Sequence, residues 1–272
     1  MKKFITILLA AGLLTGLTSC GNKTAENDAE NTAENAQETS GSDLDYIKKK
    51  GKMVIGITEY EPMNYKDENG EWTGFDTEFA QAVAKELGVE AEFIVIEWDN
   101  KIMELDSKAI DSVWNGMTIT DEVKKGMSCT DPYVVNAQVV VADKSKIDSY
   151  KSVEDLADVS FVAEAGSAGE KAITEAGYEC TEVGSQSDAL LEVSSGAADA
   201  CVIDITMAKA MTGEGTSYES LASGLALTSE EYGIGFRKDS DVTAAVNDII
   251  KKFKEDGTLA SLAEKYNLTI AE

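Results

Sequence analysis

Residues 53–96 read MVIGITEYEPMNYKDENGEWTGFDTEFAQAVAKELGVEAEFIVI, and the fold class follows from this stretch. Met53–Thr58 is a short β-rich run bounded by Gly51, the pattern of a buried strand. Phe75, Phe79, Val83 and Leu87 then recur at every fourth position, with Gly88 just past the last. That spacing predicts an amphipathic helix, and the glycine is its stop signal. Glu90–Ile96 reads as the next strand. The alternation continues outward, with a helix at Asp99–Ser107 and strands at Ser112–Trp114, Ser160–Ala163, Glu179–Val183 and Ala200–Ile203. Helices are expected at Ala168–Ala176 and Ser187–Ser195, and Val242, Val246, Ile250 and Phe253 mark another near the end. A chain alternating in this way is α/β, with mostly parallel sheets flanked by helices. Ligands in such sheets lie beyond the carboxyl ends of the strands.

Ahead of this region, Lys2 and Lys3 precede an apolar run, Phe4–Leu17. A basic start, an apolar stretch and small residues after it predict a secretion signal over residues 1–19. The run is shorter than the roughly 20 residues a membrane span needs. Its ending, Leu17-Thr18-Ser19-Cys20, resembles a bacterial lipobox, which implies lipid attachment at Cys20 and a membrane anchor. From Gly21 to Ser42 there is no Val, Ile, Leu, Met or aromatic residue, and Ala-Glu-Asn recurs at residues 25–27, 29–31 and 33–35. Nothing there offsets the entropy of ordering, so residues 20–42 read as a lipidated cysteine with a solvated tether. The fold is expected to begin at Asp43.

Composition excludes several functions. With 24 Lys+Arg against 50 Asp+Glu, the formal charge is −26, the wrong sign for a nucleic-acid partner. Histidine is absent, which removes His general bases and His metal ligands. No catalytic residue, metal site or cofactor is expected. Cys129, Cys180 and Cys201 remain after Cys20; an odd number cannot pair completely, and Cys180–Cys201 is the one bridge worth testing. Only one arginine exists, Arg237, although arginine is the side chain suited to clamping a carboxylate with two parallel hydrogen bonds.

The strand ends hold the candidate site. Glu59 and Tyr60 follow the first strand, Trp98 the second, Trp114–Thr120 the third, and Asp204 the strand at Ala200–Ile203. Tyr60 and Trp98 either cap the core or wall a small ligand, while Asn, Thr and Asp supply a few placed polar groups. Gly166-Ser167-Ala168-Gly169 falls between a strand and a helix, where backbone N–H groups attract an anion.

These residues carry a resemblance. Tyr60-Glu61-Pro62-Met63, Gly74-Phe75-Asp76, Gly116-Met117-Thr118-Ile119-Thr120, Asp131-Pro132-Tyr133, Ser152–Leu156, Asp204 and Tyr232–Phe236, in this order, resemble the family 3 bacterial solute-binding proteins. The resemblance implies a two-lobed, periplasmic-binding-protein-like clamshell of type II that presents an amino acid or small amine to an ABC transporter permease. It implies lobe 1 at residues 43–133 plus 233–272, lobe 2 at 138–227, and hinge strands at 134–137 and 228–232. It also implies a monomer with no chemistry performed on the ligand. A sensory lipoprotein using the same clamshell is the alternative, and an enzyme on this fold a remoter one.

By the same resemblance, Tyr60 and Trp98 sandwich the ligand side chain. The Asn115 carbonyl, Thr118 hydroxyl and Asp204 carboxylate take the α-ammonium. The Thr118 N–H and the N–H groups near Ser167 and Ala168 take the α-carboxylate, and Gly116 belongs to the same ligand-binding set. The family's arginine, three residues after the second threonine of Thr-Ile-Thr, is here Val123. Lys101, just after Trp98, is the expected substitute, and Glu59 and Glu164 near the cleft lean toward a cationic or amine-bearing ligand.

Overall fold

The computed structural model describes residues 41–272; the secretion segment, Cys20 and the tether up to residue 40 lie outside them. In chain order come α1 (Asp43–Lys50), β1 (Lys52–Ile57), a small hairpin of β2 (Tyr65–Lys66) and β3 (Trp72–Thr73), α2 (Phe75–Leu87) and β4 (Glu90–Val95). A 3₁₀ turn at Trp98–Asn100 leads into α3 (Lys101–Asp106), followed by β5 (Ser112–Val113), α4 (Asp121–Gly126) and β6 (Met127–Cys129). The chain then crosses through β7 (Val134–Asn136) to β8 (Gln138–Asp143), β9 (Phe161–Glu164), α5 (Ala168–Glu175), β10 (Cys180–Val183) and α6 (Gln186–Ser195). β11 (Ala200–Asp204), α7 (Ile205–Met211) and β12 (Leu221–Ala226) complete this half. The return passes through β13 (Glu230–Tyr232) to β14 (Gly235–Arg237), α8 (Val242–Glu255) and α9 (Thr258–Lys265).

Two five-stranded sheets result, ordered β4-β1-β5-β14-β6 and β10-β9-β11-β8-β12. β1 is parallel to β4 and β5, while β14 is antiparallel to both its neighbours. In the second sheet β9 is parallel to β10 and β11, and β8 is antiparallel to both its neighbours. Each sheet is therefore mixed, with one strand running against the rest. That strand is the one that enters directly from a crossing: β8 after β7, and β14 after β13. β7 and β13 themselves form an antiparallel pair, Asn136 opposite Glu230 and Val134 opposite Tyr232.

Side-chain alternation along the strands assigns each sheet two covered faces. In β1, Met53, Ile55 and Ile57 enter one apolar cluster and Val54 another. In β8 and β11, Val139, Val141, Cys201 and Ile203 face the first cluster, while Val140, Ala142, Ala200 and Val202 face a third. α2 buries Phe75, Phe79, Ala80 and Val83, the stripe its sequence spacing predicts, and Gly88 ends it in the left-handed conformation. Ser42 belongs to the fold rather than the tether: its hydroxyl accepts from Asp45 N at 2.9 Å and donates to Asp241 at 2.5 Å, capping α1.

Cys129, Cys180 and Cys201 are free thiols. A Cys180–Cys201 bridge is excluded by the sheet order, since β9 lies between β10 and β11. Two inter-strand steps are about 9.5 Å, beyond the ~7 Å limit between bridged Cα atoms.

Arg237, the chain's single arginine, lies at the end of the first sheet opposite the carboxyl ends of β1 and β5. Its Nε donates to Asp43 at 2.9 Å, and its terminal nitrogens donate to the Ile110 carbonyl at 2.8 Å and Asp111 at 3.4 Å. Asp111 also accepts from Lys50 and from Val54 N. Removing one member of such a buried ion cluster leaves the others uncompensated. Arg237→Ala is expected to lower unfolding free energy by about 3 kcal/mol in urea titrations while leaving ligand affinity unaltered; a stability loss below about 1 kcal/mol would refute this role.

Candidate ligand-binding cavity

A cavity of about 520 Å³ opens between the two sheets, at the carboxyl ends of β4, β5, β9 and β11. Trp98, Lys101 and the 115–118 loop line it from the first sheet; Glu164, Gln186 and Asp204 line it from the second. The loop is held from behind. Asp76, fully buried at the start of α2, accepts from Gly116 N at 2.5 Å and from the Tyr133 hydroxyl at 3.0 Å. Asn64 donates to the Trp114 carbonyl at 3.0 Å and to Asn115 Oδ1 at 2.8 Å. Gly116 has φ 55°, and a Cβ there would lie 2.7 Å from the Tyr60 ring, so the turn requires glycine.

The Asn115 amide is fully engaged, its Nδ2 donating to Thr58 Oγ1 at 2.7 Å, whereas its backbone carbonyl accepts no hydrogen bond among the described residues. Thr118 donates its hydroxyl proton to Glu230 at 2.7 Å. This fixes the hydroxyl with its lone pairs free, as an acceptor for an ammonium. Asp204 ends β11 and precedes α7; its Oδ1 accepts from Asn136 and Gln138, and its Oδ2 accepts from Gln186 at 2.5 Å. Asp204 nonetheless lines the cavity, where its carboxyl faces an incoming solute. Burial, with Glu230 nearby, raises the Asp204 carboxyl to about 7.

On the anion side, Lys101 is buried and donates to the carbonyls of Trp98 at 3.1 Å and Gly166 at 2.9 Å. Its ammonium stands 4.8 Å from the Trp98 ring centre. An ammonium has three N–H donors, which leaves one. Burial lowers the Lys101 pKa, while Glu164 and Asp99 oppose that shift. The N–H groups of Thr118 and Ala168 have no acceptor among the described residues. Val123, at the position where an arginine was considered, is buried with Met117 and Ile102 in an apolar wall of the cavity.

The sequence expectations are corrected at three positions. Glu59 is exposed and does not line the cavity, because the strand places Thr58 inside and turns the next residue to solvent. Tyr60 is buried but does not wall the cavity; its hydroxyl meets Thr206 and, at 2.5 Å, the Tyr232 hydroxyl, joining the two halves behind the site. Ser167 lines the cavity, yet its N–H donates to the Glu164 carbonyl and its hydroxyl caps α5, so Ala168 carries the free donor. Trp98, Lys101, Asn115, Gly116, Thr118, Ala168 and Asp204 all line it. Gln186, Glu230, Asn136 and Gln138 were missed; their hydrogen bonds join residues between 18 and 112 positions apart, and no local pattern announces them.

A cavity shared by two such halves, with an acceptor group on one side and a cation on the other, defines a receptor for a small polar solute. Residues 53–269 match bacterial extracellular solute-binding proteins, family 3, and the chain belongs to that family. It is similar to the L-cystine-binding protein TcyJ of Escherichia coli (31% identity over 82% of this chain and 85% of the relative). It is also similar to the arginine-binding extracellular protein ArtP of Bacillus subtilis (30% identity over 98% of both chains). Among solved structures, holo ArgBP from T. maritima superposes with a TM-score of 0.73 and 33% identity, covering 82% of this chain and 98% of that one.

Asp76 and Asp204 are raised by burial to about 7 and Glu164 to about 8, from ordinary values of 3.8, 3.8 and 4.5. Between about pH 4 and 8 the folded chain therefore holds protons that the unfolded chain has released, and stability falls as pH rises through this window. Each such group contributes a slope of up to about 1.4 kcal/mol per pH unit. The ligand-free protein is expected to melt at lower temperature at pH 8 than at pH 5 in scanning calorimetry; a flat or rising profile would count against these protonation states.

Proposed function

We propose that the cavity captures a free amino acid and that the protein delivers it to an ABC importer as the substrate-binding component. The protein acts by binding, as do its relatives named for cystine and arginine. The observation that carries this reading is the placement of Lys101 and Asp204 on opposite halves of one cavity. An α-amino acid is a dipole of fixed length, so a donor and an acceptor held apart select it over neutral solutes. The α-ammonium lies against the Asp204 carboxylate, the Thr118 hydroxyl and the Asn115 carbonyl. The α-carboxylate lies against the remaining Lys101 proton and the Thr118 and Ala168 N–H groups. Lysine replaces a two-pronged arginine contact with a point charge, and the two backbone donors supply the directional hydrogen bonds.

Because each half contributes contacts, ligand stabilises the arrangement in which both reach it. Rotation takes place on the antiparallel pair β7–β13, the two places where the chain crosses. Residues 43–133 with 233–272 form one lobe and residues 138–227 the other. The protein is a monomer held on the extracytoplasmic face of the membrane by lipid at Cys20. The Leu17–Cys20 ending supports this anchor, and several acyl chains at about 0.8 kcal/mol per buried CH₂ hold firmly.

A thermal-shift panel of the common amino acids tests the ligand class. The true ligand at 100 times its dissociation constant adds about 2.7 kcal/mol of stability, and a panel with no shift sinks the reading. Lys101→Met is expected to weaken binding by about 1.5–3 kcal/mol, because it keeps the apolar stem and removes a charged hydrogen bond. Undiminished affinity would show that this lysine does not read the carboxylate. For the anchor, Cys20→Ser should move the protein from the membrane fraction to the soluble one; unchanged membrane association would refute lipidation there.

A further inference from the structure

Glu164 closes β9 at the inner wall of the cavity and is 2% exposed. Its Oε1 has no hydrogen-bond partner among the described residues. Burying an unpaired carboxylate is costly, and here the open oxygen belongs to a side chain that lines a solute cavity. The surroundings are rich in negative charge: Asp99, Glu122, Glu164, Glu170, Glu175 and Asp204 line the cavity against only Lys101 and Lys171. Lys101 has two of its three donors on backbone carbonyls. A ligand bringing one positive and one negative charge leaves that excess in place. A ligand bringing a second positive charge reduces it.

We propose that Glu164 sets the specificity of the cavity by receiving a cationic side-chain group of the ligand, distinct from the α-ammonium at Asp204, so that the site selects a basic amino acid over a neutral one. The inference rests on the reading of the cavity as an amino-acid site. The charged groups facing Glu164 are Asp204 and Asp188, which disfavour its ionisation, and Lys101, which favours it; the Thr58 hydroxyl also supports the carboxylate. Burial is the largest influence and holds the empty-site carboxyl at about 8, so near neutral pH it carries a proton. A guanidinium or ammonium arriving at the Glu164 carboxyl displaces that proton to solvent, and the ion pair forms as the proton leaves.

The test uses the full chain in titration calorimetry with L-arginine, L-lysine, L-citrulline, L-glutamine, L-cystine and agmatine as probes. Citrulline keeps the length of arginine but is neutral in its side chain, and agmatine lacks only the carboxylate. The expected result is arginine or lysine binding more than about tenfold tighter than citrulline, a difference of about 1.4 kcal/mol. In Glu164→Gln that preference should collapse to within about threefold. Repeating the basic-ligand titration at pH 7 in buffers of different ionisation enthalpy should reveal proton release that falls by about one proton in Glu164→Gln, the remainder coming from Asp204 as it receives the α-ammonium.

A preference retained in Glu164→Gln overturns the assignment, as does tightest binding by citrulline, glutamine or cystine; both leave the amino-acid reading intact. Agmatine binding tightly where arginine does not, with the affinity lost in Glu164→Gln, supports a cation at Glu164 while overturning the amino-acid reading. Binding of none of the probes overturns the proposal. A circular-dichroism melt of Glu164→Gln separates loss of recognition from loss of fold.

Discussion

At the crossing between the two sheets, the carboxylates of Asp204 and Glu230 share the side-chain amides of Asn136 and Gln138. Glu230 Oε1 accepts from both amides, at 2.7 and 2.6 Å, and Asp204 Oδ1 accepts from the same two. Two like charges this close repel unless donors stand between them, and amides provide donors without adding charge. The arrangement ties the end of β11 to both crossing segments, and through Glu230 it also orients the Thr118 hydroxyl on the first sheet. The strand directions depend on the same region, since β8 and β14 enter their sheets straight from it and run against their neighbours. The cavity geometry is thus set at the crossing of β7 and β13.

Charge is distributed unevenly between structure and recognition. The chain has one arginine, and it is held in an ion cluster with Asp43 and Asp111 at the end of the first sheet away from the cavity. The cavity is left with lysines as its cations and with carboxylates that burial pushes toward their neutral forms. Such groups respond strongly to an incoming charge, because a small change in the local field moves the balance between two nearly matched protonation states.

Contacts between the halves are few and polar where they border the cavity. Lys101 reaches the Gly166 carbonyl, and Gly166, at φ 67°, has no room for a side chain against Asp99. Behind the site, Tyr60, Thr206 and Tyr232 join hydroxyl groups across the gap. Hydrogen bonds of this kind contribute about 1 kcal/mol each net of water. Two apolar clusters each belong to one sheet, and the largest draws residues from both.

Local pattern alone was enough for much of this protein. The four-residue spacing of Phe75, Phe79, Val83 and Leu87 places α2 to the residue, because a helix stripe and its glycine stop are both encoded within one segment. The strand ends at Asn115, Thr118 and Asp204 were legible because parallel strands aim their carboxyl ends at the ligand side. Short strands such as β6 and β14, only three residues each, carry too little periodicity to be seen and exist through their pairing with one another. The direction of a side chain after a strand is likewise decided by packing: Tyr60 turns to Thr206 and Tyr232, and Glu59 to solvent. Sequence by itself determined the α/β class, the acidic balance and the segments that form the elements, since these depend on neighbours within a few positions. Tertiary structure decided that Glu164 lies buried with an open oxygen, that Ala168 rather than Ser167 offers its N–H, and that Gln186 and Glu230 support the site. Each of those outcomes depends on residues distant in the chain, and only the folded arrangement fixes the distances on which hydrogen bonds and desolvation act.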